Sequence, residues 1–185
     1  MNLEVLISCM NQQDMKIAEQ TGIQSDALII NQCPQLEYSD DASSDRNTFD
    51  VQNSSRGNIR MLSTNTRGLS KSRNLAIRHA VGDVCLICDD DEQLDSSYEK
   101  IILNAYEALP EADIICFRIA NQPSRLKQKE QRLTKWTAMR IASWQITFRR
   151  ESIINSGIRF DENMGAGTGN GGGEEVKFLR DCIGA

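Results

Sequence analysis

RGLSKSRNLAIRHAVGDVCLICDDDE, residues 67 to 92, is the stretch whose reading decides the fold. Ser70 can cap a helix from Lys71 to Ala80, because Leu75, Ala76, Ala80 and Val81 fall near helical spacing, and Gly82 ends it. Asp83 to Cys88 then runs apolar without alternation, the pattern of a strand covered on both faces in a mainly parallel sheet. Four consecutive acids, Asp89 to Glu92, close the strand. Helix, buried strand and charged turn in this order predict an α/β protein with this strand at the centre of its sheet.

The flanks repeat the alternation. Leu3 to Ile7 and Ala27 to Ile30 are short apolar runs around the helix-compatible stretch Asp14 to Gln20, which predicts a βαβ unit. The polar segment from Cys33 to Asn58 reads as a long surface loop, and Ile59 to Leu62 as a strand. Beyond the acids come a helix over Ser97 to Leu109, a strand over Ile114 to Ile119 and a basic polar stretch from Arg125 to Lys135. Gln145 to Arg149 predicts another strand and Ser152 to Ser156 a short helix. A glycine-dense loop then leads to a last helix, Glu174 to Cys182. No repeat or linker interrupts the 185 residues, a length that suits one domain.

Composition narrows the function. Apolar residues make up 39% and charged residues 25%, as in an ordinary globular protein. A net charge of -5 and a pI near 5.0 exclude a broad nucleic-acid surface. The N-terminus lacks the basic leader of a signal peptide, and no run of about 18 apolar residues predicts a transmembrane segment. The cytoplasm is therefore the expected location. The six cysteines are scattered through apolar runs, as reduced core thiols are. Cys85 and Cys88, three apart on a strand, point to opposite faces and form neither a redox turn nor a zinc knuckle.

The acids after the strand concentrate repulsion at one point. In open α/β sheets ligands bind beyond the carboxyl ends of strands, where these acids fall. If the extended backbone persists, Asp89 and Asp91 project to one side and Asp90 to the other. Two carboxylates on one side suit Mg2+ or Mn2+, hard cations that share their oxygen ligands with substrate phosphates; a solvated acidic turn is the plainer alternative. Upstream, Arg67, Lys71 and Arg73 surround a helix start, where backbone N–H groups favour an anion. Six glycines in the nine residues Gly165 to Gly173 predict a movable lid or acceptor-binding loop. Glu174 and Glu175 follow, either as acids favoured at a helix start or as a general base with a neighbour that raises its pKa. His79 is the single histidine, which leaves histidine-based nucleophilic triads and zinc sites without material. Trp136 and Trp144 suit stacking on a sugar or a base or, more commonly, a core.

Taken together, these residues resemble the family 2 glycosyltransferases, inverting enzymes of the GT-A fold that use nucleotide-diphosphate sugars. LEVLISCMN looks like the family's first strand and nucleotide-contacting turn, RGLSKSRNLAIRHAVGDVCLICDDDE its donor-site helix, strand and DxD motif, and FRRESIINSGIRFDENMG with GEEVKFL its acceptor-side segment. The resemblance implies a Rossmann-like three-layer sandwich with a mainly parallel central sheet. It implies donor contacts from Ser8, Met10, Asn31, Gln32, Arg67, Arg73, Asp89 and Asp90, with Asp89 and Asp91 binding Mn2+ or Mg2+. Glu175 takes the place of the catalytic base, where Asp is commoner, and Glu174 that of the acid before it. Asn31 and Gln32 stand where many members carry an acidic base-reading residue; UDP is the nucleotide expected by analogy. The acceptor implied is a glycan or lipid-linked hydroxyl, in polysaccharide or surface-glycan synthesis, with peripheral membrane association compatible with it. By the same comparison residues 1–185 form one catalytic domain without the family's usual C-terminal extension. The alternatives are a metal-dependent nucleotidyltransferase, which shares the architecture, and a noncatalytic nucleotide-sugar-binding domain.

Overall fold

The structure, a computed structural model, describes residues 1–33, 48–54, 57–118 and 130–185, with residues 48–54 as backbone. Seven strands form one sheet: β1 (Leu3–Met10), β2 (Asp26–Gln32), β3 (Thr48–Ser54), β4 (Gly57–Thr64), β5 (Val84–Asp89), β6 (Ile114–Cys116) and β7 (Ile146–Arg149). Their order is β3-β4-β2-β1-β5-β7-β6. β4, β2, β1 and β5 are mutually parallel, and β3 and β7 run against them. β6 pairs antiparallel with β7 and so shares the majority direction. The middle strand is β1; β5 lies beside it and exchanges one parallel and one antiparallel ladder.

Helices cover both faces because successive side chains of the inner strands alternate between two apolar sets. Leu6, Leu28, Ile30, Cys85 and Ile87 pack with Leu75 and Ala76 of α2 (Leu69–His79), Ile153 of α5 (Arg150–Ser156), and Phe178 and Leu179 of α6 (Glu174–Gly184). Val5, Ile7, Ile29, Leu86 and Cys88 pack with Ile17 of α1 (Ile17–Gln20) and Ile102 of α3 (Tyr98–Ala108). The result is the three-layer sandwich expected. The two cysteines of the CxxC fall into opposite cores, all six are free, and burial pushes the Cys88 thiol up to about 12.

Several expectations need correction. The segment read as loop from Cys33 to Asn58 contains β3, which pairs antiparallel with β4; apart from Cys33, which is in no strand, its remaining parts are β4's first residues or lie outside the described residues. An edge strand needs no continuous apolar run, and TFDVQNS offers none. Helix formation between β1 and β2 is confined to four residues. Ser70 does not cap α2: Gly68 is the N-cap, with φ 130°, and the Ser70 hydroxyl donates to the Met164 carbonyl at 2.7 Å. β6 stops at Cys116, and Ile119 and residues 125–129 of the basic stretch lie outside the described residues.

Candidate active site

Register assembles the site. Ser8 of β1 stands opposite Asp89 of β5, while Cys9 and Met10 stand opposite Asn31 and Gln32 of β2. Five of the expected donor residues thus share the carboxyl edge of three adjacent parallel strands. β1 connects onward to β2 on one side, and β5 adds to its other side, so this edge is the point where the winding of the sheet reverses and ligands find a crevice.

Each polar residue at that edge is held. The Asn31 amide accepts from the Gln12 backbone N–H at 2.9 Å and donates to its carbonyl at 2.8 Å, which fixes the turn after β1. Gln32 accepts the Gly68 N–H at 2.7 Å, and the Ser8 and Ser72 hydroxyls share a hydrogen bond of 2.8 Å. Met10 is exposed at the rim.

β5 ends at Asp89, and the backbone then turns instead of staying extended. The three aspartates therefore do not alternate as strand residues: Asp89 points inward and is half-buried, whereas Asp90 and Asp91 are exposed on the turn. Asp89 accepts from Arg73 at 2.8 Å through Oδ1 and from Ser143 at 2.8 Å through Oδ2. Burial raises the Asp90 carboxyl, aided by Asp91 and Asp89, and the same three causes raise Glu92. The side-chain charges acting on this pair are all carboxylates.

Arg73 is only 3% exposed. Its second terminal nitrogen donates to Glu174 Oε1 at 2.9 Å, so one guanidinium joins the end of β5 to the start of α6. The Phe160 ring lies 5.5 Å from the guanidinium carbon and stacks on Phe178 at 4.3 Å. Arg73 Nε and Glu174 Oε2 are buried and meet no hydrogen-bond partner among the described residues. Glu175, one position along α6, is partly buried, and burial followed by the Glu174 charge raises its carboxyl above the usual glutamate range.

Arg67 is exposed and sits where the glycine-rich loop folds against α2. The Leu69 N–H donates to the Ala166 carbonyl at 3.0 Å, so one donor of this helix start already faces the loop. Gly165 has φ 94°, and a Cβ there would meet Ser70 Oγ at 3.1 Å and the Glu174 carboxyl carbon at 3.2 Å, which is why this position takes no side chain. Trp136 is 81% exposed and belongs to no core, while Trp144 is half-buried beside Ser143. Ser143 and the structural role of Ser72 went unread in the sequence. Both are single hydroxyls whose partners lie 54 and 64 positions away, and no local pattern marks them.

A model of the family described as Glycosyl transferase family 2 matches residues 36–165, a span that holds Arg67, Arg73 and Asp89 to Asp91 and stops before Glu174. Among curated proteins, none matches the chain. Among solved structures, S. aureus TarS 1-349 is similar, with TM-score 0.59 and 18% identity over 96% of this chain and 54% of that one. The same S. aureus protein in complex with UDP gives TM-score 0.59 and 14% identity over 96% and 54% of the two chains. In complex with UDP-GlcNAc it gives 0.56 and 17% over 92% and 51%. At these identities the likeness is one of fold, the mostly parallel α/β sandwich of GT-A glycosyltransferases. The chain spans about half the length of these structures.

Proposed function

This chain belongs to glycosyl transferase family 2, and from that premise we propose that residues 1–185 are a catalytic domain moving a sugar, with inversion, from a nucleotide-diphosphate donor to an acceptor hydroxyl. The observation that carries the reading is the meeting of two acidic motifs on one arginine. Asp89, from the donor edge of the sheet, and Glu174, beside the base candidate, both bind Arg73 within 2.9 Å.

In this reading the donor lies along the carboxyl edge, with its nucleotide toward Ser8, Met10, Asn31 and Gln32, and its diphosphate toward Arg67 and the Asp89 to Asp91 turn. UDP is the nucleotide of choice, since the similar S. aureus structures hold UDP and UDP-GlcNAc. Glu175 accepts the proton of the acceptor hydroxyl. The hydroxyl oxygen bonds to the anomeric carbon as the bond from that carbon to the diphosphate breaks on the opposite side. Direct displacement of this kind inverts the centre and asks for one base. Its raised pKa brings Glu175 closer to the working pH, which strengthens it as a proton acceptor.

Mn2+ or Mg2+ fits the residues present. Each oxygen of Asp89 is engaged by one protein donor and keeps a lone pair, Asp91 is exposed, and the neighbouring charges are uncompensated carboxylates. Among the described residues no three His, Cys, Asp or Glu side chains form a metal cluster by themselves, so donor phosphate oxygens and water would complete the shell, as they commonly do for these cations. Asp89 and Asp91 would hold the ion, and when bound it supplies Lewis-acid stabilisation of the departing diphosphate.

A groove of about 540 Å³ lined by Lys135, Met139, Met164, Gly173, Val176 and Lys177 runs past the start of α6 and offers room for the acceptor. Among the described residues no helix is long and apolar enough to cross a membrane. A glycan or lipid-linked acceptor of a surface polysaccharide, met at the cytoplasmic side of a membrane, is the setting proposed. Calorimetry with UDP, GDP and ADP, with and without Mn2+, tests the reading. Wild type should bind UDP in a manganese-dependent way, and the Asp89→Ala, Asp91→Ala double variant should lose that binding; equal binding by both would remove the donor site from these acids.

A further inference from the structure

The connection to α6 is made of a chain segment with little stiffness of its own. Six of nine residues from Gly165 to Gly173 are glycine, and five of these glycines have left-handed φ values between 85° and 94°; such a loop leaves the entry angle of the next helix to be set elsewhere. α6 begins at Glu174 with no side-chain cap. Its later residues are fixed by Phe178 and Leu179 in the core, but the first turn, which carries Glu175, has Arg73 as its charged anchor.

Resting on the glycosyltransferase reading, we propose that Arg73 is a positioning residue that holds the first turn of α6, and with it the Glu175 carboxylate, in fixed register with Asp89. The resemblance alone would place Arg73 on the donor phosphates. Its burial and its two carboxylate partners from distant elements describe a clamp instead. The next residue of α2 reinforces it: the Asn74 amide accepts the Phe160 N–H at 2.9 Å and donates to the Phe160 carbonyl at 2.9 Å, fixing the ring on which the guanidinium rests. One turn of α2 therefore grips both ends of the segment from Phe160 to Glu174.

Two features make the clamp responsive as well as rigid. Among the described residues Arg73 Nε and Glu174 Oε2 have no hydrogen-bond partner, so the guanidinium and the carboxylate have bonding capacity to redistribute. Charge arriving at Asp89 when the donor binds changes the competition between Asp89 and Glu174 for the same arginine. A guanidinium can hold two carboxylates in a fixed fork; an ammonium cannot. Donor binding would thereby be felt at the base.

Amide hydrogen exchange on the full chain tests this, with Mn2+ and UDP as probes, in wild type, Arg73→Lys and Glu174→Gln. Without ligand, both variants should exchange faster by about tenfold across the first turn of α6 while β5 stays protected. Mn2+ with UDP should slow exchange in the first turn of α6 of wild type and leave it unchanged in both variants. With UDP-GlcNAc as donor and UDP release as the readout, kcat should fall by roughly 100-fold in each variant while the donor KM moves less than about threefold. Unchanged exchange in the first turn of α6 in both variants overturns the clamp, and a loss confined to donor KM in Arg73→Lys returns the residue to phosphate binding. Failure of wild type to bind UDP with Mn2+ or to release UDP removes the donor reading instead, and the ligand-free exchange still decides whether Arg73 holds the helix.

Discussion

Two arginine–carboxylate pairs with buried acids lie on the same face of the sheet, and the acids differ in how completely they are satisfied. Glu4 of β1 is fully buried; its Oε1 accepts from Arg60 at 2.7 Å, and its Oε2 takes the backbone N–H groups of Val81 and Gly82 at 2.6 and 2.9 Å. Arg60 also donates to the His79 carbonyl at 2.8 Å. A Cβ at Gly82 would come within 2.6 Å of Glu4 Cβ, so a close approach is built around the acid. Every oxygen has a donor, and the pair ties the end of α2 to the amino end of β1. Arg73 and Glu174, at the other edge, leave one nitrogen and one oxygen unpaired among the described residues. Buried polar groups without partners cost free energy, and these two stand beside the candidate site.

The sharpest test of that contrast is Glu175→Gln, which removes the proposed base and leaves both ion pairs in place. UDP release should fall by about 10³-fold with stability and UDP affinity near wild type. Next in size, Glu4→Gln puts an amide N–H where two backbone donors now point, and should cost about 3 kcal/mol in denaturant unfolding while leaving manganese-dependent UDP affinity unchanged. Glu174→Gln weakens the hold of Arg73 on the first turn of α6 locally and should cost only about 1 kcal/mol of global stability. A loss as large as that of Glu4→Gln would erase the distinction between scaffold and site.

The same Glu174 variant also has a pH signature. As the proposed base Glu175 must be ionised to act, so kcat should rise with pH through its raised pKa. Removing the Glu174 charge lowers that pKa and should move the acidic limb of the profile to lower pH. For stability the sign is opposite: a carboxyl raised by folding favours the native state below its unfolded pKa, and that contribution is lost as pH climbs through the raised value. Smallest of all, Trp136→Ala at an 81% exposed position should change stability by less than about 0.5 kcal/mol in thermal unfolding.

Much of the scaffold was legible because its signals are local. The apolar run at β5, the helical spacing of α2 and the acid after the strand each occupy a short window, and the structure places all three within a residue or two of expectation. β3 was missed because an edge position tolerates the polar sequence it carries. The site was half legible: residue types at the strand ends could be listed, but not the turn that separates Asp89 from Asp91, nor the spending of Arg73 on two carboxylates. Those follow from packing between distant segments, and periodicity carries no information about it. Trp136 shows the converse, an aromatic for which a core was the commoner of two readings and which tertiary structure leaves on the surface.

The contacts that complete the site span long stretches of chain. Arg73 reaches Glu174 across 101 positions, Asn74 reaches Phe160 across 86, and Ser70 reaches Met164 across 94. Closing loops of that length is entropically unfavourable until many contacts form at once, so the sheet and α2 should acquire structure before the C-terminal segment docks on them. On a ribosome Arg73 and Asp89 would emerge and pair first, and the last helix would dock by bringing a second carboxylate to an arginine already in place.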